Sequence, residues 1–239
     1  MKEMIVHSSE PVTLLGGGAA LTTDVETAMA LAPQCVAADG GAELARQAGV
    51  KLDGLIGDFD SVSPETLALT PAERRFHIAE QDSTDFNKAL RHIDAPVVIG
   101  VGFLGGRLDH QLAALNVLVG YPARPCVLLG EIEIAFLCPP QIEIDTSSGD
   151  VVSLFPFGDV SGTSSGLRWE IAGLRFHPMG QTSTSNAATG PLALTMDAPA
   201  MIVMLPRAYL AEVTRALASA PPSARWPARA AQYRAPMQS

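Results

Sequence analysis

An α/β chain, with a parallel α/β domain followed by a small antiparallel β-sandwich or barrel domain, is what three observations in this 239-residue sequence predict. Short apolar runs in the first half each stop at glycine or aspartate. Helical periods lie between several of them. After Pro139-Pro140 the pattern changes to period-two alternation punctuated by Gly, Ser, Thr and Pro. Short continuous apolar runs are what strands buried on both faces look like, and their alternation with helices implies a parallel sheet.

Taken in order, Val12–Leu15 runs into Gly16-Gly17-Gly18, Cys35–Ala38 into Asp39-Gly40-Gly41, and Leu55-Ile56 into Gly57-Asp58-Phe59-Asp60. Phe76–Ala79 precedes Gln81-Asp82, Val97–Val101 leads to Gly105-Gly106-Arg107, and Cys126–Leu129 ends at Gly130-Glu131. Phe86, Ala89, Leu90 and Ile93 fall at helical spacing, as do Leu108, Leu112, Leu115 and Val119, so two amphipathic helices are expected there. The boundary is placed between residues 1–139 and 140–239. In the second part Ile142–Ile144, Leu167–Ile171, Leu192–Met196 and Met201–Leu205 read as strands. Ala208–Leu217 reads as a helix, followed by a loose tail.

Composition narrows the function classes. With 47% hydrophobic and 17% charged residues the chain has material for a core, which excludes disorder. A formal net charge of -9 repels phosphate backbones, so nucleic acid is not an expected partner, and an anionic ligand would need local cations or a metal. Cys35, Cys126 and Cys138 are widely spaced and odd in number, without a CxxC, which disfavours a disulfide framework or a zinc site. The N-terminus has no signal-peptide core, and no run approaches the roughly 18 apolar residues of a membrane helix. The expectation is a soluble, cytoplasmic protein that does not engage a membrane.

The densest chemical signal is a set of aspartates at predicted strand ends and helix starts. Asp58 and Asp60, two apart, would point to one side of an extended segment, and Asp82 and Asp85, three apart, would share a helix face. Asp39 ends a strand, and Asp109 opens a helix two residues after Arg107. Six carboxylates at one sheet edge repel unless a hard cation such as magnesium sits among them, and magnesium usually arrives with substrate phosphates. Gly40-Gly41, Gly57 and Gly105-Gly106 allow close approach of backbone amides to phosphate oxygens. Arg107 and Lys88 add positive charge. Against this, any one aspartate could be only a helix cap, Asp82 above all. His110 alone among the histidines examined lies within this pattern; His77, His92 and His177 share no spacing.

Four segments resemble the catalytic domain of the thiamin pyrophosphokinase family, in its order and at about its spacing. They are Asp39-Gly40-Gly41-Ala42, Gly57-Asp58-Phe59-Asp60-Ser61, Asp82-Ser83-Thr84-Asp85-Phe86-Asn87-Lys88-Ala89-Leu90 and Gly105-Gly106-Arg107-Leu108-Asp109-His110. Gly166-Leu167-Arg168-Trp169 and Ser183-Thr184-Ser185-Asn186 resemble that family's thiamin-binding elements, so the likeness runs over roughly residues 35 to 205. The Gly16–Gly18 turn and the tail after Arg207 are not diagnostic.

The resemblance implies ATP and thiamin as substrates, magnesium as cofactor, and a homodimer whose sites are shared between subunits. It implies Asp58, Asp60 and Asp85 as metal-binding and catalytic carboxylates, with Arg107 and Asp109 completing the catalytic set. Asp39, Asp82, Thr84 and Lys88 would bind ATP; Ser183, Ser185, Asn186 and Trp169 would bind thiamin. The implied reaction is attack of the thiamin hydroxyl on the β-phosphorus of ATP, releasing AMP. A pyrophosphokinase for another heterocyclic alcohol, pterin-like, or a non-catalytic thiamin or nucleotide sensor are the alternatives. A dinucleotide-binding oxidoreductase is disfavoured because Leu21 stands where GxGxxG needs its last glycine.

Overall fold

In the first half the chain forms β1 (Val6–His7), β2 (Val12–Leu15), α1 (Thr22–Met29), β3 (Gln34–Ala38), α2 (Gly41–Gln47), β4 (Gly54–Gly57) and α3 (Pro64–Leu69). It continues through β5 (Arg75–His77), α4 (Asp85–Leu90), β6 (Ile93–Asp94), β7 (Val98–Val101), α5 (Leu108–Gly120), β8 (Cys126–Leu129) and β9 (Glu133–Leu137). The second half holds β10 (Gln141–Ile144), β11 (Val151–Pro156), β12 (Val160–Leu167), β13 (Arg175–Phe176), β14 (Ser183–Met196), β15 (Met201–Pro206) and α6 (Leu210–Ser219). The structure is a computed structural model and describes residues 4–229.

Strands β8, β7, β2, β3, β4 and β5 lie side by side and parallel. The chain starts this ladder at β2, runs outward through β3, β4 and β5, then returns to add β7 and β8 on the other side of β2. Strand order therefore reverses between β2 and β7. That reversal opens a crevice beyond the carboxyl ends of the strands, where ligands of open α/β sheets bind.

Successive side chains of a strand point to opposite faces, and both faces here are covered by helices. Val12 and Leu14 pack with Phe86 and Leu90 of α4 and Ala114 and Leu118 of α5. Leu15 joins Val25 and Ala28 of α1 and Ala42 and Ala45 of α2 on the other side. Burial on both faces is why the central strands are mostly apolar rather than alternating; the buried Thr13 hydroxyl donates to Ala32 O at 2.7 Å.

The antiparallel half is continuous with this sheet. β9 pairs with β8 and with β15, β15 with β11, β11 with β14, and β14 with β10 and β12. β15 thus returns from residues 201–206 to lie beside β9. One apolar core takes side chains from α1, α2, β10, β11, β14 and α6.

Four local expectations change. The α4 helix stops at Leu90, and Ile93 is a buried residue of β6 instead. In α5 the core-facing residues are Ala114, Val117, Leu118 and Val119, while Leu108 and Leu112 are 68% and 53% exposed. With leucines around much of its circumference, this helix gives periodicity little to choose by. Leu167–Ile171 is not a strand. The β12 strand ends at Leu167, and the Glu170 carboxylate turns the chain by accepting from the Leu167 amide and the Ser164 hydroxyl. The expected C-terminal helix begins as a 3-10 turn at Arg207–Tyr209 and continues as α6; the last ten residues of the expected tail lie outside the described residues.

Candidate active site

At the carboxyl edge, Asp39 follows β3 in a left-handed conformation, φ 44°. It is 1% exposed, and its carboxylate accepts from the amides of Phe59 (2.7 Å) and Ser61 (3.2 Å) in the loop after β4. Asp39 therefore fastens the loop that carries Asp58 and Asp60. Burial, and after it the Asp85 carboxylate, raises its pKa above the ordinary carboxyl value.

The loop is not extended. Phe59 is left-handed at φ 67°, a conformation that costs roughly 1–2 kcal/mol for a residue with a side chain. The two Asp39 hydrogen bonds offset that cost. In this turn one oxygen each from Asp39, Asp58 and Asp60 lies within 4.8 Å of the others. So Asp58 and Asp60 converge as expected, but through a turn rather than through strand alternation.

Lys88, on α4, reaches into the same place. Its side chain is 2% exposed, and Nζ lies 3.0 Å from Asp58 Oδ2 and 3.1 Å from Asp85 Oδ1. Burial alone would lower the Lys88 pKa, but its bonds to the two carboxylates outweigh it and hold the ammonium above its ordinary value. The Lys88 hydrogen bond in turn lowers the Asp58 pKa against the opposing effect of burial. Gln81 Nε2 also donates to Asp58 Oδ2, at 2.9 Å. Asp85 therefore joins the cluster across Lys88 and is not one of the three converging carboxylates. A set of hard oxygen donors of this kind suits a magnesium ion.

Thr84 caps α4 by accepting from the Asn87 amide at 3.3 Å. Asp82, the residue most expected to be a cap, lies exposed in the bend before the helix.

The crevice between β2 and β7 holds a cleft of about 310 Å³. It is lined by Gly17 and Gly18 from the loop after β2 and by Gly105, Gly106, Arg107 and His110 from the loop and helix after β7, with Thr84, Phe86 and Phe103 completing the lining. The loops meet backbone to backbone: the Gly18 amide donates to Gly102 O at 3.0 Å, and a Cβ on Gly18 would stand 2.5 Å from that oxygen. Arg107 and Asp109 are exposed and form a two-point ion pair, Nε to Oδ1 at 3.1 Å and Nη2 to Oδ2 at 2.6 Å. That pairing raises the Arg107 pKa and lowers that of Asp109.

The second set of residues lies elsewhere. Asn186 is buried, and its side chain is engaged with backbone: Oδ1 accepts from the Trp169 and Ala187 amides, and Nδ2 donates to Trp169 O at 2.8 Å. Ser185 is left-handed, φ 58°, at a register shift between β11 and β14, and its amide donates to Ser153 Oγ. Ser183 begins β14. Trp169 is 58% exposed, with the Arg168 guanidinium carbon 5.0 Å from its ring centroid. In the ladder, β11, β15, β9, β8, β7 and β2 separate β14 from β3, so one chain does not bring these residues beside Asp39 through sheet pairing.

The sequence reading sets the Gly16–Gly18 turn aside as not diagnostic and gives no role to Phe103 or Gln81. The reversal of strand order beside β2 is what marks the Gly17–Gly18 loop, and only the topology reveals it. Nothing in the residue type of Gln81 or Phe103 singles them out.

The sequence pattern of the thiamin pyrophosphokinase catalytic domain matches residues 25–128, and that of the thiamin pyrophosphokinase vitamin B1 binding domain matches residues 140–200. Thiamine pyrophosphokinase 2 of Arabidopsis thaliana is 32% identical over 157 residues, a match covering 57% of this chain and 58% of the plant protein. Thiamine pyrophosphokinase 1 of Oryza sativa subsp. japonica is 33% identical over 155 residues, covering 57% and 59%. The chain thus spans less than two thirds of the length of these curated relatives. The fold is similar to that of thiamin pyrophosphokinase from Candida albicans, with TM-score 0.70 and 17% identity over 84% of this chain and 92% of that one. It is also similar to the enzyme of that name from Geobacillus thermodenitrificans, with TM-score 0.67 and 21% identity over 82% and 96%.

Proposed function

The chain belongs to the thiamin pyrophosphokinase family, and from that premise we propose that it transfers the pyrophosphoryl group of ATP to the hydroxyl of thiamin. The observation that carries this reading is the meeting at one sheet edge of the Asp39, Asp58 and Asp60 carboxylates, the buried Lys88 and a glycine-lined cleft at the point where strand order reverses.

In this reading the cleft receives the phosphates of ATP, because backbone amides at Gly17–Gly18 and Gly105–Gly106 can approach oxygens that a side chain would keep away. Arg107, oriented by Asp109, adds a planar fork of donors. Asp58, Asp60 and Asp85 would hold magnesium, which when bound neutralises phosphate charge. Lys88 keeps Asp58 ionised and holds Asp58 and Asp85 at fixed separation, while Asp39 and Gln81 orient the loop and its first carboxylate. The thiamin oxygen bonds to the β-phosphorus, the bridge from that phosphorus to the α-phosphate breaks, and AMP leaves with the bridging oxygen. The hydroxyl proton passes to a carboxylate or to solvent.

Thiamin would lie against the free face of Trp169, whose backbone Asn186 holds in place; a cationic ring suits an aromatic face. Because six strands stand between the two sets, the reading includes a homodimer in which Trp169, Ser183, Ser185 and Asn186 of one subunit complete the aspartate site of the other. Three buried thiols, with Cys35 raised to about 12 by burial and then by Asp53, are consistent with a reducing cytoplasmic compartment. Among the described residues no helix is long and apolar enough to cross a membrane.

The test is to incubate the purified protein with ATP, magnesium and thiamin and separate the products. AMP and thiamin diphosphate appearing together, and lost on chelation or in Asp58→Asn, support the reading. ADP with thiamin monophosphate would overturn it.

A further inference from the structure

A second cavity of about 640 Å³ lies beside the edge strand β5. Its walls include Met4, Phe76, His77, Ile78, Glu80 and Arg91. Arg91 follows α4 and its side chain is only 9% exposed. Nη1 donates to Glu80 Oε1 at 2.8 Å, and the same oxygen accepts from Ser83 Oγ at 2.6 Å. Arg91 Nε and Nη2 are buried and have no hydrogen-bond partner among the described residues.

Those two nitrogens share one edge of the planar guanidinium. Their N–H bonds run parallel, and this is the edge that receives both oxygens of a carboxylate or phosphoryl group at once. A buried cation with its two-donor edge unsatisfied is energetically costly. We propose that this cavity is a binding site for the oxoanion of a small molecule, phosphoryl or carboxylate, with the Nε–Nη2 edge of Arg91 as its anchor. Phe76 and Ile78 give an apolar surface for the remainder of such a ligand. Glu80 opposes an anion but occupies the other side of the guanidinium. Both nitrogens are buried, so a ligand reaches them by displacing part of the cavity wall, which includes the exposed His77 and the half-buried Met4.

The site adjoins the candidate active site through two routes. His77 packs edge-on against Phe59, centroids 5.5 Å apart, and Phe59 lies between Asp58 and Asp60. Glu80 immediately precedes Gln81, which donates to Asp58. The cavity therefore lies next to the loop carrying both aspartates and is separate from their ion pairs.

The experiment follows the Arg91 Nε–H resonance of the full chain in ¹H–¹⁵N spectra, assigned by its absence in Arg91→Lys. Orthophosphate and, separately, acetate are added to the wild type and to Asp58→Asn. A saturable shift with a dissociation constant on the order of 1 mM, unchanged in Asp58→Asn, is the expected result. Shift by phosphate alone assigns the site to phosphoryl ligands, and shift by both assigns it to oxoanions generally. No shift with either anion, or a shift that disappears in Asp58→Asn, overturns the proposal. No turnover is measured, so the outcome is independent of whether the thiamin reading holds.

Discussion

At the carboxyl edge of the parallel sheet, polar side chains face one another. Lys88 lies between Asp58 and Asp85, and Arg107 grips Asp109. At the outer part of the antiparallel half they face their own backbone instead: Asn186 is hydrogen-bonded to Trp169, Ser153 supports Ser185, and Trp169 is left exposed with Arg168 on it. The first region is a charged constellation held by its own ion pairs. The second is a backbone-braced platform that presents an exposed aromatic ring. A region of the first kind should lose chemistry when altered; one of the second kind should lose substrate affinity.

The largest effect is expected from Asp58→Asn. It should lower kcat/KM on the order of 10³-fold by removing charge stabilisation, and destabilise the fold by about 3 kcal/mol because Lys88 loses one partner of a buried pair. Product analysis and denaturant unfolding measure the two. Equal kcat in the variant would break the contrast between the regions.

Next, Asp58→Asn mixed with Trp169→Ala, assayed at thiamin far below the raised KM of Trp169→Ala, should recover about a quarter of wild-type activity if subunits exchange, since half the dimers are mixed and each has one intact site. Zero recovery after verified exchange would place both residue sets in one subunit's site. Trp169→Ala by itself should raise the KM for thiamin and leave stability within about 0.5 kcal/mol, because the ring is exposed.

Asn186→Ala should cost about 2 kcal/mol by leaving Trp169 backbone groups unpaired, and should raise KM more than it lowers kcat. Gly18→Ala places a methyl 2.5 Å from Gly102 O. The expected cost is about 1–3 kcal/mol of overpacking, with weaker ATP binding read by calorimetry.

The smallest effect is a pH dependence from a carboxylate outside both sets of side chains. Glu43 is lowered from 4.5 to about 2 by hydrogen bonds from Ser63, then Thr66 and Arg46. Between those values the folded state binds fewer protons than the unfolded one. The stabilisation is therefore complete above pH 4.5 and is lost as pH falls towards about 2. After solvent screening it should amount to about 1 kcal/mol. Glu43→Gln should flatten this part of the stability curve, and an unchanged slope would show that Glu43 is not its source.

Much of this was legible from local pattern. Runs such as Val12–Leu15 and Cys126–Leu129 became strands because burial on both faces favours mostly apolar residues, and the Gly and Asp after such runs stand at the carboxyl edge, where ligands of open α/β sheets bind. The Asp58–Asp60 pair was visible as spacing, though Phe59 shows that its convergence comes from a left-handed turn. The buried face of α5 was not legible, because Leu108 and Leu112 repeat at helical spacing as convincingly as Ala114 and Leu118 do.

The sequence by itself determined the α/β class, the antiparallel second half, the chain-order motifs and the types of chemistry at the parallel edge. These depend on short-range rules of burial, period and turn formation, which act over a few residues. Tertiary structure alone decided that Lys88 is buried between two carboxylates, that Asp39 fastens a loop, that Asn186 holds the backbone of Trp169, and that Gly17 and Gly18 line a cleft with Gly105 and Gly106. Each is a meeting of atoms distant along the chain or turned by local backbone geometry. The strength of such contacts depends on where the strand order reverses and how much water is excluded, and neither is written in the neighbouring residues.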